Sequence, residues 1–131
     1  MANYETQVVV IAAGPSGLSA AVQAAEDGAE VIVLEKAAAV GGAANMGMGP
    51  LGIGTKYQKK QMEDITVEKA FNMFMEYTHY NVDARLVKRY FEQSGETIEW
   101  LEDMGVEFEG AYRYFPKSEP TWHIVKTCLL Y

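Results

Sequence analysis

Two short apolar runs near the start of the chain predict β-strands. Residues 7–11 (QVVVI) and 30–34 (EVIVL) are rich in β-branched side chains, a composition typical of fully buried parallel strands. Between them, residues 15–27 are rich in alanine, begin with Pro15 and end before Gly28, which predicts a helix with proline in its first turn and glycine as its stop. The order strand, turn, helix, strand predicts a right-handed parallel crossover unit.

The middle of the chain, from about residue 66 to residue 104, has the periodicity of helices. Thr66 is a suitable N-cap for the first helix, because its hydroxyl can accept a hydrogen bond from a first-turn amide. Apolar and small side chains then recur at helical spacing and define one face. That face comprises Val67, Ala70, Phe71, Phe74 and Thr78. We expect these side chains to form core.

A second helix is expected from about Asp83, with Gly95 interrupting it. The side chains expected to be buried in this helix are Leu86, Val87, Tyr90 and Phe91. A third helix is expected over residues 96–104, ending at Gly105, since glycine tolerates the left-handed backbone of a helix C-terminus. Its expected inward side chains are Ile98 and Leu101. Beyond Gly110, alternating aromatic residues and two prolines predict irregular strands or loops.

Composition narrows the class of protein. The 131 residues, 49% hydrophobic and 22% charged, are typical of one small globular domain. A net charge of −7 disfavours nucleic acid, whose affinity depends on contacts from Lys and Arg. There is no basic N-terminal segment followed by an apolar run and no stretch of about 18 apolar residues, so we expect a cytoplasmic protein without a membrane span. The single Cys128 is expected to be a buried or incidental thiol, since it has no disulfide partner and no metal-site spacing.

The turn between the first strand and the first helix carries a candidate phosphate-binding motif. The segment IAAGPSGLSAA fits G-x-G-x-x-G-x-x-x-A with Gly14, Gly17 and Ala21 in place and Ala12 at the first glycine position. In this motif the second glycine lets the backbone approach a diphosphate, and the third lets the helix pack closely on the strands. The backbone of Gly14, Pro15, Ser16 and Gly17, at the start of the helix, is therefore expected to meet the phosphate charge.

Ala12 departs from the motif. It adds a methyl group at a tight turn, and a left-handed backbone at this position would cost about 1–2 kcal/mol for a residue other than glycine. We therefore expect the affinity for the dinucleotide to be reduced or lost.

Glu35 ends the second strand, 23 residues beyond Ala12. An acidic side chain at this position can accept hydrogen bonds from both hydroxyls of an adenosine ribose, and it disfavours the 2′-phosphate of NADP. Residues 37–54, which follow, are rich in Ala, Gly and Met and carry no charge. This segment is expected to wrap around a ligand, and the alternative is a plain flexible linker.

These stretches resemble a family, the FAD-dependent fumarate reductase and succinate dehydrogenase flavoproteins together with related ketosteroid dehydrogenases. The resemblance rests on VVVIAAGPSGLSAAVQAAEDGAEVIVLEKAAAVGGAANMGMG and on IEWLEDMGVEF. It implies FAD as the cofactor, with the backbone of a second glycine-rich segment lying along the flavin. The positions that match this part of the family's pattern are Glu35, Lys36, Gly41, Gly42, Ala43 and Gly49.

Members of the family are several hundred residues long and carry their substrate-binding and proton-donating residues beyond the region matched here. We therefore predict no catalytic residue and no metal ligand in this chain, and an isolated chain that is not catalytically competent. His79 and His123 are expected to be structural or surface residues, and Trp100 is expected to anchor packing.

The expected fold is an α/β Rossmann-like FAD-binding βαβ unit with an additional helical segment and an incomplete sheet. The chain is interpreted as the N-terminal portion of one FAD-binding domain. It divides into a βαβ and glycine-rich segment (1–55), a helical segment (56–110) and an irregular or strand segment (111–131). Because the strand edges are left open, we expect a homo-oligomer or a companion chain to cover them.

Three hypotheses on function follow. The first is the FAD-binding portion of an oxidoreductase whose intact form moves a hydride between reduced flavin and an activated C=C bond. The second is a truncated, non-catalytic fragment that binds a nucleotide weakly or only pairs with another protein. The third is a nicotinamide-binding domain.

Overall fold

The computed structural model of the protein describes residues 3–47 and 49–126, so the expectation for Cys128 lies outside the described residues. The chain divides after Gly47 into two compact units, and each unit is described by itself.

The first unit is the predicted crossover unit. Strands β1 (Val8–Ile11) and β2 (Val31–Leu34) pair in parallel, with helix α1 (Pro15–Glu26) between them in sequence. Proline occupies the first turn of α1, and Gly28, just past its C-cap, has a φ of +89°. The local pattern therefore determined both ends of α1 correctly. A short 3-10 helix (Gly42–Met46) follows in the glycine-rich segment.

The expectation that both strands are fully buried is wrong. Val9, Ile11 and Leu34 are 54%, 81% and 53% exposed. A parallel strand is buried on both faces only when helices cover both sides of its sheet. In the first unit the described sheet has two strands, and α1 is the one α-helix that packs on it. The sheet is small and incomplete, as expected.

The second unit contains three α-helices and an antiparallel sheet. Its elements are α2 (Lys56–Lys60), α3 (Val67–Tyr77), α4 (Ala84–Asp103), β3 (Phe108–Tyr112) and β4 (Trp122–Val125). Helix α2 was not predicted, because five residues carry too little periodicity to indicate a helix. It begins with a capping box, in which the Thr55 hydroxyl accepts from the Gln58 amide while the Gln58 side chain accepts from the Thr55 amide.

Helix α3 begins where predicted, but its predicted core face is partly wrong, because Phe74 is 37% exposed whereas Met75, which was not predicted to be buried, is 6% exposed. The Thr66 hydroxyl accepts from the Lys69 amide at 3.1 Å, which caps the helix as expected. Ala70 is buried, and Val67 and Phe71 pack against a core cluster. The buried residues of that cluster are Ile53, Ile65, Ala70 and Phe91.

Helix α4 runs without a break for 20 residues, so the prediction of two helices separated at Gly95 is wrong. A Cβ atom at position 95 would lie 2.6 Å from the carbonyl oxygen of Ile53. The glycine therefore allows the backbone at Ile53 to approach the helix closely, and it does not act as a helix stop.

The predicted buried face of α4 is partly wrong. Leu86 and Tyr90 are 70% and 51% exposed, whereas Val87 packs against the core and Phe91 is buried. The ring of Phe91 lies edge-on to the ring of Phe74 in α3, with centroids 5.6 Å apart. The sequence of α4 has apolar residues on more than one side. The neighbouring helix therefore decides which of these sides is buried.

The C-terminal region is more regular than predicted. Strands β3 and β4 pair antiparallel with a bulge between Phe108 and Gly110, and Gly105 ends α4 with a φ of +92°. The amide of Gly52 donates to the Thr121 carbonyl at 2.9 Å, which attaches the segment before α2 to the segment before β4. Within residues 3–47 and 49–126, none of the helices is both long and apolar enough to cross a membrane.

Candidate dinucleotide-binding site

The loop that joins β1 to α1 presents the start of α1 to its surroundings. Gly14 is the N-cap of α1, and with no side chain it gives the first-turn amides no side-chain acceptor. Pro15 follows at the first helical position, where the missing N–H removes no helical hydrogen bond. The first-turn amides, together with the positive end of the helix dipole, can therefore stabilise an anion.

Gly14 and Gly17 are glycines for different reasons. A Cβ atom at position 17 would lie 2.0 Å from the carbonyl oxygen of Ala12, so the close contact between loop and helix requires glycine there. A Cβ atom at position 14 would have nothing within 4 Å, and the φ of Gly14 is an ordinary −76°. Folding therefore requires Gly17, whereas the glycine at position 14 leaves open space at the start of α1.

Ala12 adopts the left-handed backbone that the motif reserves for glycine, with a φ of +86°. Its amide donates to the carbonyl of Leu34 at 2.8 Å, so the loop keeps its path in spite of the methyl group. This conformation costs an L-residue about 1–2 kcal/mol.

The carboxylate of Glu35 is bonded directly to the loop. Its Oε2 atom accepts from the Ala13 amide and its Oε1 atom from the Ala37 amide, both at 2.8 Å. These two backbone hydrogen bonds, that from Ala37 first, lower the pKa of Glu35 below its ordinary value of 4.5. The side chain is therefore ionised at neutral pH. A carboxylate has about four lone-pair positions, so its bonds to Ala13 and Ala37 leave capacity for other donors such as sugar hydroxyls.

The second glycine-rich segment lies against the same loop. The Gly41 amide donates to the Ala13 carbonyl at 2.7 Å, and a Cβ atom at Gly42 would lie 3.5 Å from the Cα atom of Gly14. Gly41 and Gly42 have φ angles of +102° and +53°, which favour glycine. The tertiary structure thus places Gly14, Gly41 and Gly42 close to the Ala13 amide, which donates to Glu35.

Sequence reasoning missed the contribution of Asn45. Its side-chain amide donates to the Val40 carbonyl at 2.9 Å and so closes the turn that holds the glycine pair. A Cβ atom at Gly41 would lie 2.2 Å from the Oδ1 atom of Asn45. An asparagine shortly after two glycines is a common turn signal and could have indicated this role.

The remaining predicted positions differ in their surroundings. Ser16, Lys36 and Ala43 are exposed residues of the first unit. Gly49 belongs to the second unit, where a Cβ atom would lie 1.8 Å from the carbonyl oxygen of His123. The need for glycine at position 49 is therefore explained by packing within that unit, and its contact with a cofactor stays a prediction.

His123 is fully buried and has partners for both ring nitrogens. Its Nε2 atom lies 2.8 Å from the Thr55 hydroxyl, and its Nδ1 atom lies 3.0 Å from the Thr121 carbonyl. Burial lowers the pKa of His123 below 6.5, so the ring is neutral at neutral pH, with Nδ1 donating and Nε2 accepting. This histidine joins the cap of α2 to the segment before β4. His79 is an exposed residue with a φ of +51°.

These groups fit the adenosine diphosphate part of a dinucleotide. The open space at Gly14 and the start of α1 suit a diphosphate, and the ionised Glu35 beside the loop suits a ribose. Within the described part of the chain, no group of three or more His, Cys, Asp or Glu residues could hold a metal ion.

Comparison with known proteins defines the class. The family model described as FAD binding domain matches residues 7–128, which is nearly the whole chain. The protein therefore belongs to the FAD-binding domain family, and FAD is the indicated cofactor.

The relatives are flavoprotein reductases and dehydrogenases. The chain is 36% identical to vinyl phenol reductase of Lactiplantibacillus plantarum over 91% of its own length and 24% of that enzyme's. Among solved structures it matches the open conformation of a flavocytochrome c3 fumarate reductase at 30% identity with a TM-score of 0.81, covering 93% of this chain and 22% of that one.

A 3-ketosteroid-Δ4-(5α)-dehydrogenase from Rhodococcus jostii is also similar, at 37% identity with a TM-score of 0.74, covering 82% of this chain and 23% of that one. The chain thus spans about a quarter of the length of these relatives. The predicted resemblance, the α/β fold class and the FAD cofactor are confirmed.

Proposed function

We propose that this chain binds the adenosine diphosphate part of FAD through the loop from Ala12 to Gly17, Glu35 and the Gly41–Gly42 pair. The observation that carries the proposal is the hydrogen bond from the Ala13 amide to the ionised Glu35 carboxylate, beside the open space at Gly14. The neighbouring Gly41 amide bonds the carbonyl of the same Ala13 residue. Ala13 in the loop is therefore bonded both to the Glu35 side chain and to the Gly41 backbone, and we expect both of these to contact the cofactor.

Each group has a separate task in this proposal. The first-turn amides of α1 stabilise the diphosphate charge, and Gly14 leaves room for it. Glu35 accepts from the ribose hydroxyls with the lone pairs that its bonds to the backbone leave free. The backbones at Gly41, Gly42 and Ala43 extend the site toward the flavin, with Lys36 and Gly49 as further predicted contacts.

We infer that the intact protein is a fumarate reductase-like flavoprotein oxidoreductase that transfers a hydride between reduced flavin and an activated C=C bond. The family match and the similarity to a fumarate reductase structure support this activity. When bound, FAD supplies the electron-carrying group, and the residues of this chain bind and orient it. The chain itself contains no residue to which we assign a role in proton transfer to substrate.

Isothermal titration of the 131-residue chain with FAD, compared with ADP and NADH, tests the proposal. We expect FAD and ADP to bind and the variant Glu35→Gln to bind FAD about tenfold or more weakly. The reason is that hydrogen bonds to a charged acceptor contribute about 1.5–3 kcal/mol. The matched control is Glu30→Gln, which removes an equal charge at the other end of β2.

Two outcomes would contradict the proposal. One is equal FAD affinity of the wild-type chain and the Glu35→Gln variant at unchanged thermal stability, because the carboxylate would then not contact the ribose. The other is a chain that NADH stabilises and FAD does not, which would favour a nicotinamide-binding domain.

A further inference from the structure

Residues 49–55, which end the glycine-rich segment and lead into α2, are packed around His123 of β4. The Pro50 carbonyl accepts from the His123 amide at 2.9 Å. A Cβ atom at Gly52 would lie 2.8 Å from the ring atom Cε1, so the backbone approaches the ring closely there. The Thr55 hydroxyl lies 2.8 Å from the ring atom Nε2. One imidazole therefore holds this segment along much of its length.

The surroundings of the His123 ring are apolar and closed to water. The residue is 0% exposed. The ring of Tyr57 in α2 lies edge-on to it with centroids 5.7 Å apart, and the ring of Phe108 in β3 lies edge-on at 6.1 Å. A buried charge without a partner costs far more than a buried neutral group with hydrogen bonds. The enclosed ring is therefore stable only in its neutral form.

The hydrogen bonds of the ring also match the neutral form. The Thr121 carbonyl can only accept, so Nδ1 carries the proton and Nε2 accepts from the Thr55 hydroxyl. A second proton, on Nε2, would force the Thr55 hydroxyl to turn its own proton away from the ring. The same hydroxyl oxygen accepts from the Gln58 amide in the capping box of α2. Protonation of His123 would therefore disturb the start of α2 as well.

The charged side chain that acts on the ring is Glu102 of α4. Its carboxylate is already engaged, because it accepts from the Tyr57 hydroxyl at 2.5 Å and pairs with the Lys56 ammonium at 2.7 Å. Burial and the contact with Glu102 raise the pKa of Tyr57 to about 12, so this hydroxyl stays neutral. Burial lowers the pKa of His123 below 6.5 and outweighs the opposite effects of Thr121 and Glu102.

We propose that His123 is an acid-sensitive switch, whose imidazole on taking up a proton releases residues 49–55 and the start of α2 from β4. The enclosed ring is neutral, and the released ring, in water, can carry the charge. Opening is therefore coupled to the uptake of one proton. The equilibrium constant for opening rises about tenfold for each pH unit below the ordinary histidine value of 6.5, until the lowered pKa of the enclosed ring is reached. Above that value the segment stays closed.

The titrations of the shifted carboxylates lie at lower pH. Hydrogen bonds from backbone amides hold the pKa of Glu35 below 4.5, and the bond from Lys126 does so for Glu107. In Glu102, burial is outweighed by the bonds from Lys56 and Tyr57, and the pKa is also lowered. The interval from about pH 7.5 to pH 5 therefore separates the proposed switch from these groups.

Amide hydrogen exchange of the 131-residue chain over this pH interval tests the proposal. The Gly52 and Ile53 amides donate to the Thr121 carbonyl and the Ser94 hydroxyl and report on opening. We expect their protection, relative to an unstructured peptide at the same pH, to fall about tenfold for each pH unit below 6.5. Protection of α1, in the other unit, should stay constant.

Two variants assign the effect to one ring. His123→Gln, which cannot take up a proton, should abolish the pH dependence, whereas the matched control His79→Gln, at an exposed histidine, should keep it. If His123→Gln does not fold, the Cε1 proton resonance of His123 in the wild-type chain decides, and we expect it to stay that of a neutral ring for as long as the segment is protected.

Three results would overturn the proposal. The first is protection of Gly52 and Ile53 that does not change between about pH 7.5 and pH 5. The second is an equal loss of protection in α1, because the acid effect would then be general. The third is a His123 ring that becomes charged while the segment remains protected, or a folded His123→Gln variant with the pH dependence of the wild type.

Discussion

The two units of this protein differ in how they are stabilised. Among the described residues, the buried apolar side chains of the first unit are Ala13 and Ala21, which are both small. The second unit buries large side chains, including Phe91 and Ile98, which are 4% and 1% exposed. The unit that carries the candidate FAD site therefore has little core of its own. Its conformation depends on backbone hydrogen bonds and glycine contacts.

The polar groups of the two units are arranged differently as well. In the second unit the buried Gln58 side chain donates to the carbonyls of Gly52 and Pro120, both at 2.8 Å, and accepts from the Thr55 amide. Such a network stabilises only when all of its members are paired. The described residues contain no buried side-chain nitrogen or oxygen atom without a partner. In the first unit, the Glu35 carboxylate accepts from the loop backbone and can still accept from other donors, which suits a binding site.

The largest expected effect comes from truncating the core of the second unit. Phe91→Ala should lower the free energy of unfolding by about 3–5 kcal/mol, since it removes a buried ring and leaves a cavity. Tyr77→Ala, at a residue that is 78% exposed on α3, should cost much less. Urea denaturation followed by circular dichroism measures both variants. Similar losses in the two variants would contradict the assignment of the core to this face of α4.

An intermediate effect is expected from the two motif glycines. Gly17→Ala should destabilise the first unit by about 1–3 kcal/mol, because its methyl group would lie too close to the Ala12 carbonyl. Gly14→Ala should leave folding nearly unchanged and lower FAD affinity, because the methyl group would occupy space that is open in the chain. Amide hydrogen exchange of α1, combined with FAD titration, separates the two effects. Equal loss of stability in both variants would refute the distinction.

The smallest expected effect is a gain in stability when the strained residue Ala12 is replaced by glycine. Ala12→Gly relieves a left-handed alanine, and the greater flexibility of glycine in the unfolded chain offsets part of the gain, so the net stabilisation should be at most about 1 kcal/mol. Thermal unfolding measures it, and we expect FAD affinity to rise as well. A lower stability of the glycine variant would show that the methyl group contributes packing that outweighs the strain.

Local sequence patterns predicted the ends of helices correctly where the residues that determine an end lie in the same short segment. Pro15 and Gly28 define α1, Thr66 caps α3, and Gly105 ends α4, because each acts on backbone within a few residues. Gly14, Gly17 and Glu35 were identified from their spacing, and Glu35 is indeed bonded to the motif loop. That the loop and the strand-end carboxylate meet follows from the parallel pairing of the two strands.

Other features depend on residues that are distant in sequence. Gly95 resembles a helix stop, and only the approach of Ile53 shows why glycine is needed inside α4. The exposure of Leu86 could not be predicted, since the position of α3 decides which side of α4 is covered. The role of Gly49 likewise depends on a contact with His123, more than 70 residues away.

The sequence by itself thus determined the class of protein, the first crossover unit and the candidate residues for FAD. The crossover unit and the phosphate-binding motif follow from backbone preferences and fixed spacings within one supersecondary unit, whereas the class of protein and the residues of the second glycine-rich segment were implied by the resemblance to a known family. Tertiary structure decided which helix faces are buried, which glycines serve packing, and how the Gly41–Gly42 pair comes to lie beside Gly14. Burial and close approach are properties of two surfaces in contact, so neither can be deduced from one segment alone.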